Sequence, residues 1–279
     1  MDEILEANAQ KVVHVLGISG GKDSAALAIY MRDRVPDMQY YFCDTGEELA
    51  ETHEYLAILE TFLGKPIKRL NPDRPFSHYL KIYNDYLPSP RMRWCTAMLK
   101  LKPFEEWIER EFAGCTVKSY VAIRADEDRD GYISHKANIE AVYPFKDAGI
   151  GKDDVFRILE EAGTGLPSYY QWRTRSGCYF CFFQRKAEWA GLKEHHPDLY
   201  EKAKSFEKTD PETGKEYTWS QSESLIQLEQ PERLREIKAA HQKALEEEKK
   251  RNRSKRLAEI YEDVLDDQDD ELPCLICHL

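Results

Sequence analysis

The residues with the clearest chemical capacity are Ser19, Gly20, Gly21, Lys22, Asp23 and Ser24, which lie between a short apolar run and a helical pattern. Backbone amides converge on a helix amino end at such a junction and attract anions. The glycines allow close approach to an anion, Lys22 adds positive charge, and the two serine hydroxyls supply hydrogen bonds. This hexapeptide predicts a phosphate-binding loop. Leu16 and Asp23 do not fit the Gly-x-x-x-x-Gly-Lys-Ser/Thr spacing, which disfavours a Walker-type motor or GTPase.

The second set of chemically capable residues is the cysteines, whose odd number, 7, argues against a disulfide scaffold and favours metal ligation or thiol chemistry. Cys178 and Cys181 form a Cys-x-x-Cys pair, which binds a metal or cycles as a dithiol. Cys274 and Cys277 form another pair near the end of the sequence. The two pairs together would make a Zn²⁺ site. Alternatively, the second pair carries sulfur or an electron pair on a flexible arm, or belongs to a disordered end.

The elements that must position these residues alternate between strand and helix. Short apolar runs predict strands at residues 12–18, 38–43, 66–70 and 119–124, and residues 22–34 predict a helix. Asp44 directly follows the second strand, and Arg124 ends the fourth strand beside an acidic loop. Such alternation predicts a parallel sheet covered by helices on both faces.

The strand pattern fades from about residue 148. We therefore predict a nucleotide-binding domain at residues 1–147 and a helical lobe with the Cys-x-x-Cys pair at 148–258. Residues 230–261 predict a long charged helix that is exposed or binds a partner. Within it, residues 249–256 hold six basic side chains, which would meet a DNA backbone or form a solvated helix face. Residues 259–279 predict an acidic, mobile tail that holds the second cysteine pair.

The composition limits the remaining function classes. The 279 residues suffice for a full α/β core, and 40 Lys+Arg against 51 Asp+Glu give a net charge of −11, which argues against wrapping nucleic acid with the whole surface. No apolar run approaches the roughly 20 residues that span a bilayer. The first residues are acidic, where a signal peptide would be basic. We therefore expect a cytoplasmic protein that does not bind membranes.

Five motifs, taken in order, resemble those of the ATP pyrophosphatase (PP-loop) superfamily, and in particular its phosphoadenylyl-sulfate reductase-like branch. They are the hexapeptide at 19–24, Phe42-Cys43-Asp44-Thr45-Gly46-Glu47, Arg93-Trp94-Cys95-Thr96 with Leu99-Lys100-Leu101-Lys102-Pro103, Ile123-Arg124-Ala125-Asp126-Glu127, and Gly177-Cys178-Tyr179-Phe180-Cys181. The resemblance covers roughly residues 10–195. It implies an adenine nucleotide alpha hydrolase-like fold, a doubly wound five-stranded parallel sheet with the nucleotide at the carboxyl ends of its strands. Open α/β sheets bind ligands at that position.

The resemblance also implies an ATP site. The hexapeptide would hold the leaving pyrophosphate, and Leu16 and Ile18 would offer an apolar surface near the adenine. Asp44 would bind Mg²⁺ or the nucleotide sugar, unless it only forms the turn before Gly46.

Cations must also stabilise the charge that develops when the α–β phosphate bond breaks. Beyond Lys22, the candidates are Arg93, Lys100, Lys102 and Arg124. The short spacing of Lys100 and Lys102 cannot put both on one helical face, so one would serve and the other be solvated. We expect Lys22, Asp23 and Arg124 to be catalytic. Asp126 and Glu127 would bind Mg²⁺, orient Arg124, or simply be solvated.

The cysteines resemble those of the family's iron–sulfur reductases, in which a Cys-Cys pair and a Cys-x-x-Cys pair hold a [4Fe–4S] cluster. Cys95, Cys178 and Cys181 match that set, whereas Trp94 stands in place of one cysteine. The fourth ligand would be Cys274, Cys277, Cys43 or a non-protein group. Zn²⁺ and unmetallated thiols are the alternatives.

Three functions follow from these residues. The first is an ATP pyrophosphatase that adenylylates an acceptor oxygen so that sulfur can replace it. The sequence resembles the ATP pyrophosphatase component of bacterial DNA phosphorothioation systems, which implies a sulfur donor protein such as a cysteine desulfurase, DNA-modification partner proteins and DNA. The second is a reductase of phosphoadenylyl or adenylyl sulfate with Cys277 as the nucleophile. The third is a nucleotide-binding scaffold.

Overall fold

The computed structural model describes residues 11–129, 134, 136–209, 214, 216–220, 223–251 and 257–267. Its main strands are β1 (Val12–Gly17), β2 (Gln39–Cys43), β3 (Ile67–Leu70), β4 (Thr116–Tyr120) and β5 (Ile139–Val142). They form one parallel sheet in the order β3-β2-β1-β4-β5. The predicted five-stranded parallel α/β fold is therefore confirmed. The strand order reverses between β1 and β4, which puts the ligand crevice at the end of β1.

The helices are α1 (Lys22–Met31), α2 (Ala50–Leu63), α3 (Phe76–Ile82), α4 (Trp94–Thr96), α5 (Lys102–Glu111), α6 (Pro144–Asp147), α7 (Lys152–Glu161), α8 (Lys186–His195), α9 (Pro197–Lys204), α10 (Leu225–Leu228), α11 (Pro231–Arg251) and α12 (Leu257–Asp267). A 3₁₀ helix spans Ser168–Gln171, and a small antiparallel hairpin pairs β6 (Lys208–Thr209) with β7 (Glu216–Tyr217). Helices α1, α2 and α7 cover one face of the main sheet, and α5 covers the other. This double cover explains why the central strand β1 is apolar on both faces.

The fourth strand differs from its prediction. Strand β4 begins three residues before the predicted 119–124 and ends at Tyr120, so Arg124 lies in the loop beyond it. The apolar residues after Tyr120 misled the prediction because they remain buried, as Ile123 does, after strand pairing has ended. Strand β5 has no counterpart among the strands predicted from apolar runs, because it is a short edge strand in which Glu140 and Ala141 are exposed.

A π-helical segment, Ala97–Leu101, joins α4 to α5. The cause lies in Pro103, which has no amide hydrogen and whose ring crowds the carbonyl four residues earlier, at Leu99. A wider turn before the proline accommodates that carbonyl, and such turns are frequent at functional sites. The segment puts Lys100 half-buried on one side of the helix.

An aromatic core crosses the predicted domain boundary at residue 147. The rings of Phe76 and Phe180 lie 4.3 Å apart, and those of Phe180 and Trp219 lie 5.0 Å apart, measured between centroids. Helix α7 follows the boundary in sequence yet packs against α1. The division into domains at this residue stays a prediction, and packing joins the two parts closely.

The long helix predicted at 230–261 is represented by α11 and the start of α12. The basic side chains Lys249, Lys250 and Arg251 are exposed on the last turn of α11, whereas residues 252–256 of the basic run lie outside the described residues. Of the helices in the described ranges, none combines the length and the hydrophobicity that crossing a bilayer requires.

Part of the predicted acidic tail is an ordered helix. Helix α12 packs against α11, with Ile260 and Val264 buried, and Lys152 Nζ lies 2.6 Å from Asp263 Oδ1. The expectation of mobility was therefore wrong for residues 259–267, because apolar residues four apart give the acidic segment a face to bury. The rest of the predicted tail, including Cys274 and Cys277, lies outside the described residues.

Candidate nucleotide and thiol site

The phosphate loop, residues 19–24, connects β1 to α1 and is closed by its two serines. The Ser19 amide donates to Ser24 Oγ (3.1 Å), and Ser24 Oγ donates to the Gly21 carbonyl (3.1 Å). Helix α1 begins directly after Gly21, which has no side chain to cap it. The loop therefore presents a helix amino end at the crevice, as binding of a phosphate requires.

Both positions of the loop require glycine, because α2 and the segment before Cys178 approach the loop backbone closely. Gly20 has a φ of +79°, and a Cβ atom there would lie 2.6 Å from Thr52 Cγ2 on α2. A Cβ atom on Gly21 would lie 2.9 Å from Ser176 Oγ. The loop is therefore packed tightly between α2 and the segment that leads to Cys178.

A buried ion network brings the three predicted catalytic residues together. Asp23 Oδ2 lies 2.8 Å from Lys22 Nζ, and Asp23 Oδ1 lies 2.9 Å from Arg124 Nη1. Lys22, Asp23 and Arg124 are 2%, 7% and 8% exposed. Asp126 Oδ1 lies 2.9 Å from Arg124 Nε, and Glu127 Oε1 lies 3.3 Å from Arg124 Nη1. The acidic loop thus orients Arg124, one of the three roles predicted for it.

Residues 169–176, in and after the 3₁₀ helix, lie on the phosphate loop. Tyr169 donates its hydroxyl hydrogen to the Gly20 carbonyl (2.7 Å), and the Lys22 amide donates to the Tyr170 hydroxyl (3.1 Å). Ser176 Oγ donates to Ser19 Oγ (3.1 Å). These bonds fix the segment that carries the cysteine pair directly on the nucleotide-binding element.

The turn after β2, residues 44–48, connects the crevice to Cys178. Asp44 Oδ1 accepts the Gly46 amide (3.0 Å), so Asp44 does form the turn that was one of its predicted roles. Cys178 Sγ lies 3.2 Å from Thr45 Oγ1 and 4.0 Å from Glu48 Oε1. The thiol of Cys178 therefore faces the same turn as the candidate Mg²⁺ ligand Asp44.

Lys100 lies among the thiols. Its ammonium interacts electrostatically with Cys178, Cys43 and Cys181 as well as with Glu48, and Cys95 interacts with Cys181 and Lys100. The Cys43 thiol donates to the Lys100 carbonyl, with 3.6 Å between sulfur and oxygen. Four cysteines from three separate parts of the sequence thus lie near Lys100 or near one another.

Burial controls the protonation of these thiols. It raises the pKa of Cys43 to about 12 and that of Cys95 to about 11, and it also raises the pKa of Cys178, which Glu48 reinforces. The Lys100 ammonium opposes the rise at each thiol. Burial also opposes the charge on Lys100, but the neighbouring thiols, Cys178 first, and Glu48 together outweigh it and raise the lysine pKa. A metal that binds these cysteines must therefore displace protons at neutral pH.

The spacing of the thiols bears on the kind of metal group that they would hold. Within the described ranges, the thiols include no set of three within 4.8 Å of one another, the spacing that one metal ion needs. A [4Fe–4S] group would instead spread its ligands over a wider site, and it stays a prediction for these thiols.

Arg173 is a buried guanidinium beside Cys178 with two nitrogen atoms that have no hydrogen-bond partner among the described residues. It is 1% exposed and donates from Nη2 to the Cys178 carbonyl (2.8 Å), while its Nε and Nη1 atoms have no partner among the described residues. A buried guanidinium needs nearby negative charge, which a metal–thiolate centre would supply.

Several predicted site residues lie elsewhere. Leu16 and Ile18 are 0% and 1% exposed in the core, so in the described structure they offer no surface to an adenine. Lys102 is solvated and pairs with Asp73 (3.0 Å). Arg93 stacks over the Phe183 ring, 5.2 Å from its centroid. Of the predicted cations, Lys22 and Arg124 are therefore the two that the structure brings to the phosphate loop.

Residues that contact the loop or its neighbouring turn were missed from sequence. They are Thr45, Glu48, Thr52, Tyr169, Tyr170 and Ser176. The adjacent tyrosines carry no motif, and their bonds to the loop join residues about 150 positions apart. Two of them had a signal, because Thr45 stands in the motif at residues 42–47 and Ser176 stands two residues before the cysteine pair.

Comparison with known families agrees with this geometry. Residues 13–128 match the model of the phosphoadenosine phosphosulfate reductase domain. These residues are thus similar to that domain. The matched range contains the phosphate loop, the turn after β2, Cys95 and Arg124, whereas Cys178 and Cys181 lie outside it.

Relatives of this chain include two uncharacterized proteins of Methanocaldococcus jannaschii. One is 28% identical over 199 residues, which are 67% of this chain and 40% of that protein, and the other is 24% identical over 196 residues, which are 66% and 45%. The chain thus spans less than half the length of either. A solved phosphoadenylyl-sulfate reductase from Candida auris, in a phosphate complex, is 12% identical with a TM-score of 0.47, covering 63% of this chain and 86% of that one.

Proposed function

We propose that this protein is an ATP pyrophosphatase that adenylylates an acceptor for sulfur transfer. The observation that carries the proposal is the contact between the phosphate loop and the segment that holds the cysteine pair. Ser176, two residues before Cys178, bonds to Ser19 of the phosphate loop over 3.1 Å. A site that activates an acceptor with ATP and then exchanges oxygen for sulfur needs nucleotide and sulfur chemistry side by side.

In the first step, an acceptor oxygen attacks the α-phosphorus of ATP, and pyrophosphate leaves. The amides at the start of α1 and the Lys22 ammonium would hold the pyrophosphate, whose negative charge grows as the bond breaks. Arg124 would stabilise the same charge, because the bridge through Asp23 holds it beside Lys22. Asp44 would help to bind the Mg²⁺ that accompanies ATP, since Mg²⁺ prefers oxygen ligands.

In the second step, the terminal sulfur of a persulfide on a donor protein, such as a cysteine desulfurase, would attack the activated acceptor atom, and AMP would leave with the bridging oxygen. A second thiol would then attack the sulfur–sulfur bond of this adduct, so that the sulfur stays on the acceptor and the thiol forms a disulfide with the donor cysteine. Cys95, Cys178 and Cys181 would hold a [4Fe–4S] cluster, with Cys43, Cys274 or Cys277 as the fourth ligand; Zn²⁺ is the alternative. When bound, such a cluster supplies one-electron chemistry.

DNA is the acceptor that we propose, with DNA-modification proteins as partners. The exposed basic side chains Lys249, Lys250 and Arg251 support this choice, because they would meet a phosphate backbone. They form part of the run at residues 249–256. The remaining surface of this acidic chain favours a local contact with DNA rather than wrapping.

The test is pyrophosphate release from ATP by anaerobically purified protein, with and without duplex DNA. We expect release by the wild type, stimulation by DNA, and loss of release in Lys22→Ala and Asp23→Ala. Lys243→Ala, a change at an exposed lysine of α11, is the matched control and should leave release intact. Normal release by folded Lys22→Ala protein would overturn the catalytic assignment.

A second candidate, reduction of phosphoadenylyl or adenylyl sulfate, is favoured by the family match of residues 13–128. In that reaction the nucleotide is the substrate, and ATP is left intact. Sulfite release from the sulfonucleotide, abolished by Cys277→Ser, would support the reductase over the pyrophosphatase. The absorbance spectrum of the same preparations tests the cluster, since Cys178→Ser should bleach any brown chromophore.

A further inference from the structure

Three metal-binding side chains converge at the carboxyl end of β2. One ligand atom from each of Asp44, Glu48 and His53 lies within 4.8 Å of the other two. Asp44 directly follows β2, Glu48 lies in the turn, and His53 is on the first turn of α2. In the part of the chain that the structure describes, this is the one group of three such side chains with that spacing.

The surrounding structure holds these donors in place. Glu48 Oε1 accepts the Thr45 hydroxyl (2.8 Å), and Glu48 Oε2 accepts the Thr45 amide (3.1 Å). The His53 ring stands edge-on to Phe42, with 5.8 Å between centroids and an interplanar angle of 89°. Glu48 Oε2 also accepts the Glu47 amide (3.3 Å), so Oε1, whose second contact is the 4.0 Å approach of Cys178 Sγ, is the Glu48 oxygen left for a metal. The three side chains are therefore ordered before a metal arrives.

Charge also favours a cation at this position. Asp44 and Glu48 carry the negative charge here, and the nearby Lys100 ammonium offsets part of it. Two half-buried carboxylates that lie this close repel one another. A divalent cation between the two carboxylates would reduce their repulsion and offset the cost of removing them from water.

The donor types discriminate between metals. Mg²⁺ and Ca²⁺ prefer oxygen ligands alone, whereas imidazole together with carboxylate suits Mn²⁺, Fe²⁺ and Zn²⁺. His53 therefore distinguishes this group from a site that only accompanies the Mg²⁺ of a nucleotide. We propose that Asp44, Glu48 and His53 bind a divalent transition metal ion. This inference goes beyond the proposed function, since the binding needs no nucleotide.

The site lies between the phosphate loop and the cysteine pair. Thr52, the residue before His53, packs against Gly20, and Cys178 Sγ lies 4.0 Å from Glu48 Oε1. A metal held there adjoins the place where phosphates bind on one side and a thiol on the other. It is thus positioned to coordinate an oxygen of the nucleotide or of its acceptor.

The experiment is a titration of the full chain with Mn²⁺ in the absence of nucleotide. The electron paramagnetic resonance signal of free Mn²⁺ measures how much of the ion stays unbound. Mn²⁺ is chosen because thiols bind it poorly, which leaves the cysteines out of the measurement. We expect one Mn²⁺ per chain. His53→Asn should weaken binding by at least about tenfold, because even outer-shell partners of a metal contribute about 10–100-fold.

His78→Asn is the matched control, because His78 is exposed on α3 and lies outside the group. Asp44→Asn gives a second test with little change in shape, and circular dichroism checks that each variant is folded. Equal Mn²⁺ affinity in the wild type and both ligand variants would overturn the inference, as would the absence of binding to the wild type. Because ATP is absent, the result is independent of the pyrophosphate assay.

Discussion

The Tyr170 hydroxyl accepts a hydrogen bond from the Lys22 amide, at 3.1 Å between oxygen and nitrogen. This amide belongs to the first turn of α1, where the amides that bind a phosphate are found. Tyr170 is 9% exposed and sits in the segment that leads to the cysteine pair. A hydroxyl of the segment that leads to the cysteine pair thus occupies a backbone amide that would otherwise bind an anion in the phosphate loop.

Tyr170→Phe should tighten pyrophosphate binding about fivefold. In the wild type, the Lys22 amide must give up its hydrogen bond to Tyr170, which is worth about 1 kcal/mol, before it can bind pyrophosphate. Isothermal titration calorimetry measures the change. Tyr169→Phe is the matched control, because it removes a bond to the Gly20 carbonyl, which cannot bind an anion. Tighter binding in the Tyr169 variant, or weaker binding in the Tyr170 variant, would contradict a competing role for this hydroxyl.

Arg124→Gln should lower the free energy of unfolding by about 3 kcal/mol, because it leaves the buried Asp23 carboxylate without one of its two cations. Asp126→Asn, whose parent side chain is 45% exposed, should lower it by less than about 1 kcal/mol. Urea denaturation gives both values. Similar small losses in the two variants would mean that the network contributes little to stability.

Gly21→Ala should destabilise the protein by about 1–3 kcal/mol, because the new methyl group would meet Ser176 Oγ at 2.9 Å. Ser176→Ala removes that oxygen, so the double variant should recover part of the loss. A double-mutant cycle on unfolding free energies measures the coupling. Strict additivity of the two changes would argue against this contact.

Glu223 should make stability depend on acid pH. Its hydrogen bonds with Arg233 and then Lys186 lower its pKa from 4.5 to about 2. A folded-state pKa below the unfolded one contributes stability above pH 4.5, and this is lost as the pH falls toward 2. After allowance for partly exposed partners, the contribution is about 2 kcal/mol.

Comparison of unfolding free energies at about pH 5.5 and about pH 2.5 tests this dependence. Glu223→Gln should lower stability at the higher pH and reduce the difference between the two values. Glu232→Gln, at a side chain that is 76% exposed, is the control. An undiminished pH difference in the Glu223 variant would show that another group is responsible.

The features that could be predicted from the sequence are those set by residues close together along the chain. The phosphate loop could be recognised because two glycines, a lysine and two serines lie between a strand and a helix. The alternation of elements likewise predicted the parallel sheet. Strand ends were less predictable, since Ile123 stays buried after the pairing of β4 has ended. Apolar composition reports burial, and it does not report hydrogen bonding between strands.

The contacts that assemble the candidate site depend on tertiary packing. Arg124 reaches Asp23 across 101 positions, and Thr45 reaches Cys178 across 133. Tyr169 and Tyr170 have ordinary neighbours in sequence, so no local pattern distinguishes them from core aromatics. Lys100 was predicted to serve ATP, but its place among the thiols follows from the π-helical segment, which local propensities do not predict.

That segment also fixes the helical register of the whole stretch from Trp94 to Glu111. An α-helix turns by about 100° per residue, and the wider turn takes up one residue more. If Pro103 were replaced and Ala97–Leu101 returned to α geometry, Cys95 would rotate by about that angle relative to Trp107. Since Trp107 is anchored in the core beneath the sheet, Cys95 would swing away from Cys181. Pro103 thereby keeps the Cys95 thiol on the side of the helix that faces Cys181.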